Sequence, residues 1–290
     1  MKELWGKPVA EEIYHHLEQE TARFIATTKK DPHLCAILVG DDIPSRTYVE
    51  MKQRACNRLG FSHNTLYLDE HIKEEELLMI IESLNYDLSV DGILVQLPLP
   101  KQLNTDRILE AIAPEKDVDG FHPVNVGKIL LGNPDFISCT PYGILTMFDY
   151  YNIETSGKHV VVVGRSNIVG KPIAALLMQE GRDATVTVCH SKTTNLKEIT
   201  TLADILIVAV GKPFFITPDY VKEGAIVIDV GINRVEDASR ARGYRLVGDV
   251  DYDNVAAKTA AITPVPGGVG VMTVAMLMNN TLHAAKKGRE

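Results

Sequence analysis

Short, mostly apolar runs alternate along the chain with longer segments in which apolar positions recur at helical spacing. Over residues 8–30, Pro8 stands near the start and Val9, Ile13, Leu17 and Phe24 fall near multiples of the helical repeat, which predicts a helix. CAILV (35–39), TLYL (65–68) and GILVQL (92–97) then read as strands, with helical stretches over 46–59, 73–86 and 104–113. Runs without a polar face suit strands covered on both sides, and helices between them indicate parallel β-α units. The second half repeats the pattern. VVVV (160–163), TVTVC (185–189), DILIVAV (204–210), AIVIDV (225–230) and LVGDV (246–250), with a helix over 170–180, predict another mostly parallel sheet. Between the halves, CTPYGILTMFDYY reads as a bridging helix with Thr140 as N-cap and Pro141 at the first helical position. A last apolar helix, about 272–286, is expected to pack back on the first half.

The fold class is therefore α/β in two domains, which suits a chain of 290 residues. The boundaries are placed at 1–137, completed by the C-terminal helix of 271–290, and at 138–270. A net charge of −8 gives no general attraction to a nucleic-acid backbone or an anionic membrane, so an anionic ligand must be held by local groups. Four dispersed cysteines without a C-x-x-C pair suit reduced thiols, and the nine histidines form no metal-binding pattern, so no metal is expected. The N-terminus has no long apolar core of a signal peptide, and no run is long enough for a membrane span, so a cytoplasmic protein is expected.

Candidate chemistry begins with HVVVVGRSNIVGKPIAALLM (159–178), which has the strand, glycine turn and helix of a dinucleotide-binding unit. Gly164 supplies the turn and Gly170 the close helix-strand approach, while Ser166 stands near the missing middle glycine. The helix N-terminus and a hydroxyl both favour phosphate. Read alone, the same letters also fit an ordinary β-α turn. About 20 to 25 residues beyond the first glycine, where an NAD enzyme carries an acid for the ribose 2′-hydroxyl, this chain has Cys189, His190, Ser191 and Lys192. The absent carboxylate, the Ser191 hydroxyl and nearby Arg165 favour a 2′-phosphate, hence NADP.

In TYVEMK, Tyr48 and Lys52 lie four residues apart, on one face of a helix. By themselves they describe an outer surface as well as a site. Ser45 is taken as the N-cap of that helix, which places Lys52 in its second turn. Gln96 ends a strand and Asp119 occupies a loop; alone, they read equally as a backbone-satisfied glutamine and a turn aspartate. The three are expected to reach one cleft between the domains, beyond the C-terminal strand ends.

VGDDIPSRTYVEMK, DGILVQLPLP, PEKDVDGFHPVNVG, CTPYG, VVGRSNIVGKP, CHSKT, IDVGIN, GDVD and TPVPGGVG occur in this order between residues 39 and 277. Together they resemble the bifunctional methylenetetrahydrofolate dehydrogenase/methenyltetrahydrofolate cyclohydrolase family. The resemblance implies a folate-binding catalytic domain followed by a Rossmann-like NADP-binding domain, in a cytoplasmic homodimer acting on tetrahydrofolate derivatives. It implies that Lys52 is the catalytic lysine, that Tyr48 lines the folate ring and that Gln96 partners the lysine. Asp119 would hold the pterin, Pro264 and Gly267 would contact substrate, and Gly164, Arg165, Ser166, Ser191 and Ile232 would contact the cofactor. Two departures stand out. Ser138 precedes the CTP cysteine where the family has proline, and Val271 replaces the last proline of PGGVGPMT. The second frees a φ angle and adds an N–H at a helix start, without being expected to abolish activity. The competing readings are a dehydrogenase with little cyclohydrolase turnover and a non-catalytic dinucleotide sensor; the latter has no use for Tyr48, Lys52, Gln96 and Asp119 in register.

Overall fold

The computed structural model describes residues 1–240 and 243–288; residues 241–242 of the predicted second domain and 289–290 of the predicted C-terminal completion lie outside the described residues. The chain runs through β1 (Lys2–Glu3), α1 (Gly6–Thr28), β2 (His33–Val39), α2 (Ile43–Leu59), β3 (Ser62–Leu68), α3 (Glu74–Tyr86), β4 (Gly92–Val95), α4 (Thr105–Glu110) and α5 (Pro123–Leu130). There follow α6 (Cys139–Tyr151), β5 (His159–Val163), α7 (Gly170–Leu177), β6 (Thr185–Cys189), α8 (Leu196–Thr200), β7 (Ile205–Val208) and β8 (Ile226–Asp229). β9 (Asn233–Glu236), β10 (Tyr244–Val247), α9 (Tyr252–Val255), β11 (Ala261–Ile262) and α10 (Met272–Lys287) complete it. The elements form two compact units.

One unit comprises Glu12–Lys128, Pro134–Cys139 and the segment from Val274. Its parallel sheet has the order β3-β2-β4, with Leu34 opposite Gly92 and Val39 opposite Leu68. Cys35, Ile37 and Val39 of β2, Ile93 and Val95 of β4, Leu77 and Ile81 of α3 and Ile108 of α4 share one core. That core explains the apolar spelling of β4 and of β2 from Leu34 on, whereas edge strand β3 opens with four polar residues, Ser62 to Thr65. α10 joins this unit from Val274 onward, where Cys56 Sγ lies 3.7 Å from Met278 Sδ.

The start of α2 corrects the expected cap. Asp42, with extended φ −68° and ψ 118°, is the N-cap, and its carboxylate accepts from the Ser45 N–H at 3.0 Å and the Ser45 hydroxyl at 2.7 Å. Ser45 is thus inside the first turn, and Lys52 falls in the third turn rather than the second. The helix stops at Gly60, whose φ of +72° is the left-handed conformation that glycine adopts without strain.

The other unit comprises Met1–Glu11, Ile129–Asn133 and Thr140–Thr273. Six parallel strands lie in the order β1-β11-β8-β7-β5-β6, over a core that includes Val161, Val163, Leu206, Val208, Val227 and Ile262. β1 was not anticipated; Lys2 and Glu3 pair with Ala261 and Ile262, so residues placed by sequence in the first domain extend this sheet. LVGDV does not enter the parallel sheet either. β10 pairs antiparallel with β9 in a separate two-stranded ribbon. The seven residues between them are too few for a parallel crossover, which needs a dozen or more.

Candidate active site

Two groups of side chains merit chemical attention, one in each unit. In the first, α2 carries Lys52 into the interior, where it is 9% exposed. Its Nζ donates to Gln96 Oε1 at 2.9 Å, and Gln96 Nε2 donates to the Leu97 carbonyl at 2.7 Å, which orients the amide. Gln96 follows β4 directly, its backbone N–H bonded to the Ile37 carbonyl at 2.8 Å. Lys52 makes no ion pair among the described residues. Burial pushes its ammonium below the usual lysine range, and the charge of Asp119 opposes this only in part.

Asp119 sits in the turn after the Ile93–Asp117 bridge. Burial raises its carboxyl to about 6 despite the opposing charge of Lys52. Cys139 Sγ lies 3.6 Å from the Val118 carbonyl and 3.7 Å from Asp119 Oδ1. The turn is held from two sides. Buried Asp117 accepts from the N–H groups of Phe121 at 3.2 Å and His122 at 2.8 Å and from Asn125 Nδ2 at 2.9 Å. Asn280 of α10 donates through Nδ2 to the carbonyls of Val118, at 2.8 Å, and Ile137, at 3.0 Å. Sequence reasoning missed Asn280, because its partners lie more than 140 residues away.

Tyr48 is 37% exposed, one turn before Lys52 on α2. Its hydroxyl makes no hydrogen bond to Lys52 among the described residues, so it leaves the Lys52–Gln96 pair undisturbed. The structure brings Lys52, Gln96 and Asp119 into one unit, whereas Pro264 and Gly267 belong to the other. Ser138, at the departure from the family pattern, is fully buried, and its hydroxyl has no partner among the described residues. The neighbouring Gly120, with φ +72°, is packed so closely that a Cβ would lie 2.7 Å from Ser138 N.

The second group lies at the C-terminal ends of the parallel strands. From β5 the chain crosses to β6 on one side and returns to β7 on the other, so the order reverses around β5. Such a switch point is where open α/β sheets bind ligands. Gly164 leaves β5 there with φ +134°, and a Cβ on it would lie 2.2 Å from the Ala209 carbonyl beyond β7. A Cβ on Gly170 would meet the Gly164 carbonyl at 2.2 Å, so both glycines are dictated by backbone contact. Ser166 Oγ accepts from the N–H groups of Val169 at 3.1 Å and Gly170 at 3.3 Å, giving the start of α7 a partner; Arg165, Ser166 and Asn167 are exposed. Val163 of β5 pairs with Cys189 of β6, which sets exposed Ser191 and Lys192 beyond the strand end next to the Gly164 turn. Ile232, 43% exposed, follows β8 and covers Gly270, where a Cβ would lie 2.6 Å from Ile232 Cδ1. A backbone cradle without Cβ atoms, a helix N-terminus, and hydroxyl and cationic groups in place of a carboxylate fit a dinucleotide with a 2′-phosphate. In the loop after β11, Gly267 has φ +108° and a Cβ on it would lie 2.7 Å from the Trp5 ring; Pro264 is buried, and Val271 ends a short helical turn leading into α10.

A dinucleotide-type parallel sheet and a second α/β unit bearing a buried lysine define a two-domain nucleotide-dependent enzyme class. Residues 4–119 match the catalytic domain, and residues 138–289 the NAD(P)-binding domain, of tetrahydrofolate dehydrogenase/cyclohydrolase. The chain belongs to that family. It is 54% identical over 286 residues to the bifunctional protein FolD of Chlorobium phaeobacteroides strain DSM 266, covering 97% of both chains. Among solved structures, the bifunctional FolD dehydrogenase/cyclohydrolase of Campylobacter jejuni superposes with a TM-score of 0.93 at 46% identity, covering 99% of both chains. The Trypanosoma brucei FolD, complexed with NADP cofactor and inhibitor, has a TM-score of 0.93 at 40% identity, covering 98% of this chain and 96% of its own.

Proposed function

We propose that this chain oxidises 5,10-methylenetetrahydrofolate to the 5,10-methenyl cation with NADP and then hydrolyses the cation to 10-formyltetrahydrofolate. The observation that carries the reading is the buried Lys52 bonded to Gln96 in a chain of this family. NADP, when bound, supplies the hydride acceptor. The chain's part in oxidation is positioning. The substrate's own nitrogen lone pair expels the hydride, so orientation matters more than a base. Asp119 accepts the N–H groups of the pterin edge, and the Tyr48 ring packs against the flat substrate.

Hydrolysis requires a proton taken from water and one returned to nitrogen. Lys52 suits both steps because burial favours its neutral amine, which takes the water proton and gives it back as ammonium. Gln96 fixes the direction of Nζ through the 2.9 Å bond. Gly164, Arg165, Ser166, Ser191 and Ile232 hold the dinucleotide, and the absence of an acid after β6 favours NADP over NAD. Pro264 and Gly267 are assigned to substrate contact. We also read the protein as a cytoplasmic homodimer, in keeping with the family resemblance; among the described residues no helix is long and apolar enough to cross a membrane.

A spectrophotometric assay with methylenetetrahydrofolate and NADP tests the reading: methenyl absorbance rises and then decays enzymatically. Dinucleotide binding without either change would leave a sensor. Equal affinity for NAD and NADP in a titration would remove the 2′-phosphate assignment.

A further inference from the structure

Two carboxylates lie in the interior at the C-terminal edge of the six-stranded sheet, outside the residues assigned above. Asp229 ends β8 and is 3% exposed; Asp249 is fully buried. Asp229 Oδ1 accepts from the N–H groups of Gly231 and Asp249, both at 2.9 Å, and its Oδ2 from Val250 N–H at 2.9 Å. Asp249 Oδ2 accepts from the N–H groups of Val210 at 2.7 Å and Gly211 at 2.9 Å. Its Oδ1 accepts from Lys212 N–H and Asn233 Nδ2, both at 2.8 Å. Three successive backbone N–H groups thus converge on one carboxylate, the arrangement of an anion-binding nest. Neither acid has a cationic side-chain partner among the described residues, and burial holds Asp229 up at about 7 against its three backbone bonds.

The surrounding glycines are dictated by these acids. A Cβ on Gly248 would lie 1.7 Å from Asp229 Oδ2, and one on Gly231 would lie 2.3 Å from Asp249 Cγ. IDVGIN and GDVD are therefore the two halves of a single clamp. It grips Val210–Lys212 beyond β7 and Gly231–Asn233 beyond β8. The residue before the first loop is Ala209, whose carbonyl forms the wall against which the Gly164 turn is packed. The residue inside the second is Ile232.

We propose that Asp249, seated on Asp229, is a positioning residue for the dinucleotide site: it fixes Ala209 against the Gly164 turn and holds Ile232 in place. The proposal rests on the NADP reading above. It accounts for two buried acids that no step of the chemistry uses.

Asp249→Asn keeps the side chain's shape but turns an amide N–H₂ toward backbone donors. Asn233→Ala removes one donor and leaves the acids' other bonds in place. NADP affinity is measured directly by titration, together with the separate KM values for NADP and methylenetetrahydrofolate. The Kd for NADP is expected to rise about tenfold or more in Asp249→Asn and a few-fold in Asn233→Ala. KM for NADP rises with it, while KM for the folate does not. Where Asp249→Asn yields no folded protein, the Kd of Asn233→Ala decides. An unchanged Kd in the folded variants, or an equal rise of both KM values, would overturn the proposal. A wild-type protein that fails to bind NADP would instead overturn the reading beneath it.

Discussion

Replacing Gln96 by glutamate puts a carboxylate where an amide oxygen now lies 2.9 Å from Lys52 Nζ. At that separation and an effective dielectric of about 20, one unit charge favours the ammonium by roughly 5 to 6 kcal/mol, or about 4 pKa units. Solvent screening of the partly exposed new carboxylate weakens this coupling to a rise of about 2 units. Burial depresses the Lys52 pKa in the wild type, so the new charge works against the effect that favours the neutral amine. At any pH below the wild-type midpoint, the fraction of neutral lysine falls by about a hundredfold. The assay is the decay of methenyltetrahydrofolate followed across pH. The rate rises with pH as the amine is freed, and in Gln96→Glu its midpoint moves up by about 2 units. The carbonyl of Leu97 also loses the donor it has at 2.7 Å, a cost of about 1 kcal/mol in stability that leaves the midpoint untouched. A variant that hydrolyses with the wild-type pH midpoint would refute control of the reaction by Lys52 protonation.

The remaining predictions concern the site and its support. Asp119→Ala raises the folate KM of both reactions by about 10- to 100-fold, as expected for lost charge-assisted bonds; unchanged kinetics per folded molecule with a lowered melting temperature would make Asp119 structural. Asn280→Ala removes the donor to the Val118 and Ile137 carbonyls and lowers stability by about 1–3 kcal/mol in urea unfolding, and an unchanged midpoint would deny it that role. Asp135, paired with Lys128 and Lys287, is held down to about 2. A depressed acid stabilises the fold above its unfolded pKa of about 3.9 and loses that contribution as pH falls toward 2. Solvent screening limits the effect to about 1 kcal/mol. The stability difference between wild type and Asp135→Asn is therefore present at pH 5 and shrinks below about pH 4; a difference that grew on acidification would contradict the assignment.

The strands that carry the sites were legible because they are buried on both faces and spelled largely without polar interruption: β4 and β7 fall within predicted runs, while β2 and β5 begin two residues and one residue before theirs. The Gly164 turn was legible for a related reason, since backbone contact leaves no room for another residue there. The start of α2 was not. Asp42 and Ser45 are both good caps by type, and the choice depends on which backbone is extended, a property of the folded loop. β1 and β11 contribute two residues each and carry no periodicity to detect. β9 was missed as well, and with it the antiparallel partner of β10. α5 was overlooked although Pro123 marks its first position. Asn280 and the Asp229–Asp249 clamp were beyond reach for another reason. Their meaning lies in partners brought together by tertiary structure, while the letters N, D and G alone suggest turns.

The central claim is that Lys52 moves the protons of hydrolysis. Lys52→Met keeps the length of the side chain in its buried position and removes the amine. Methenyltetrahydrofolate decay should then fall to the rate in buffer, while NADP binds with wild-type affinity through the other unit. Decay at a rate close to that of the wild type would contradict the account.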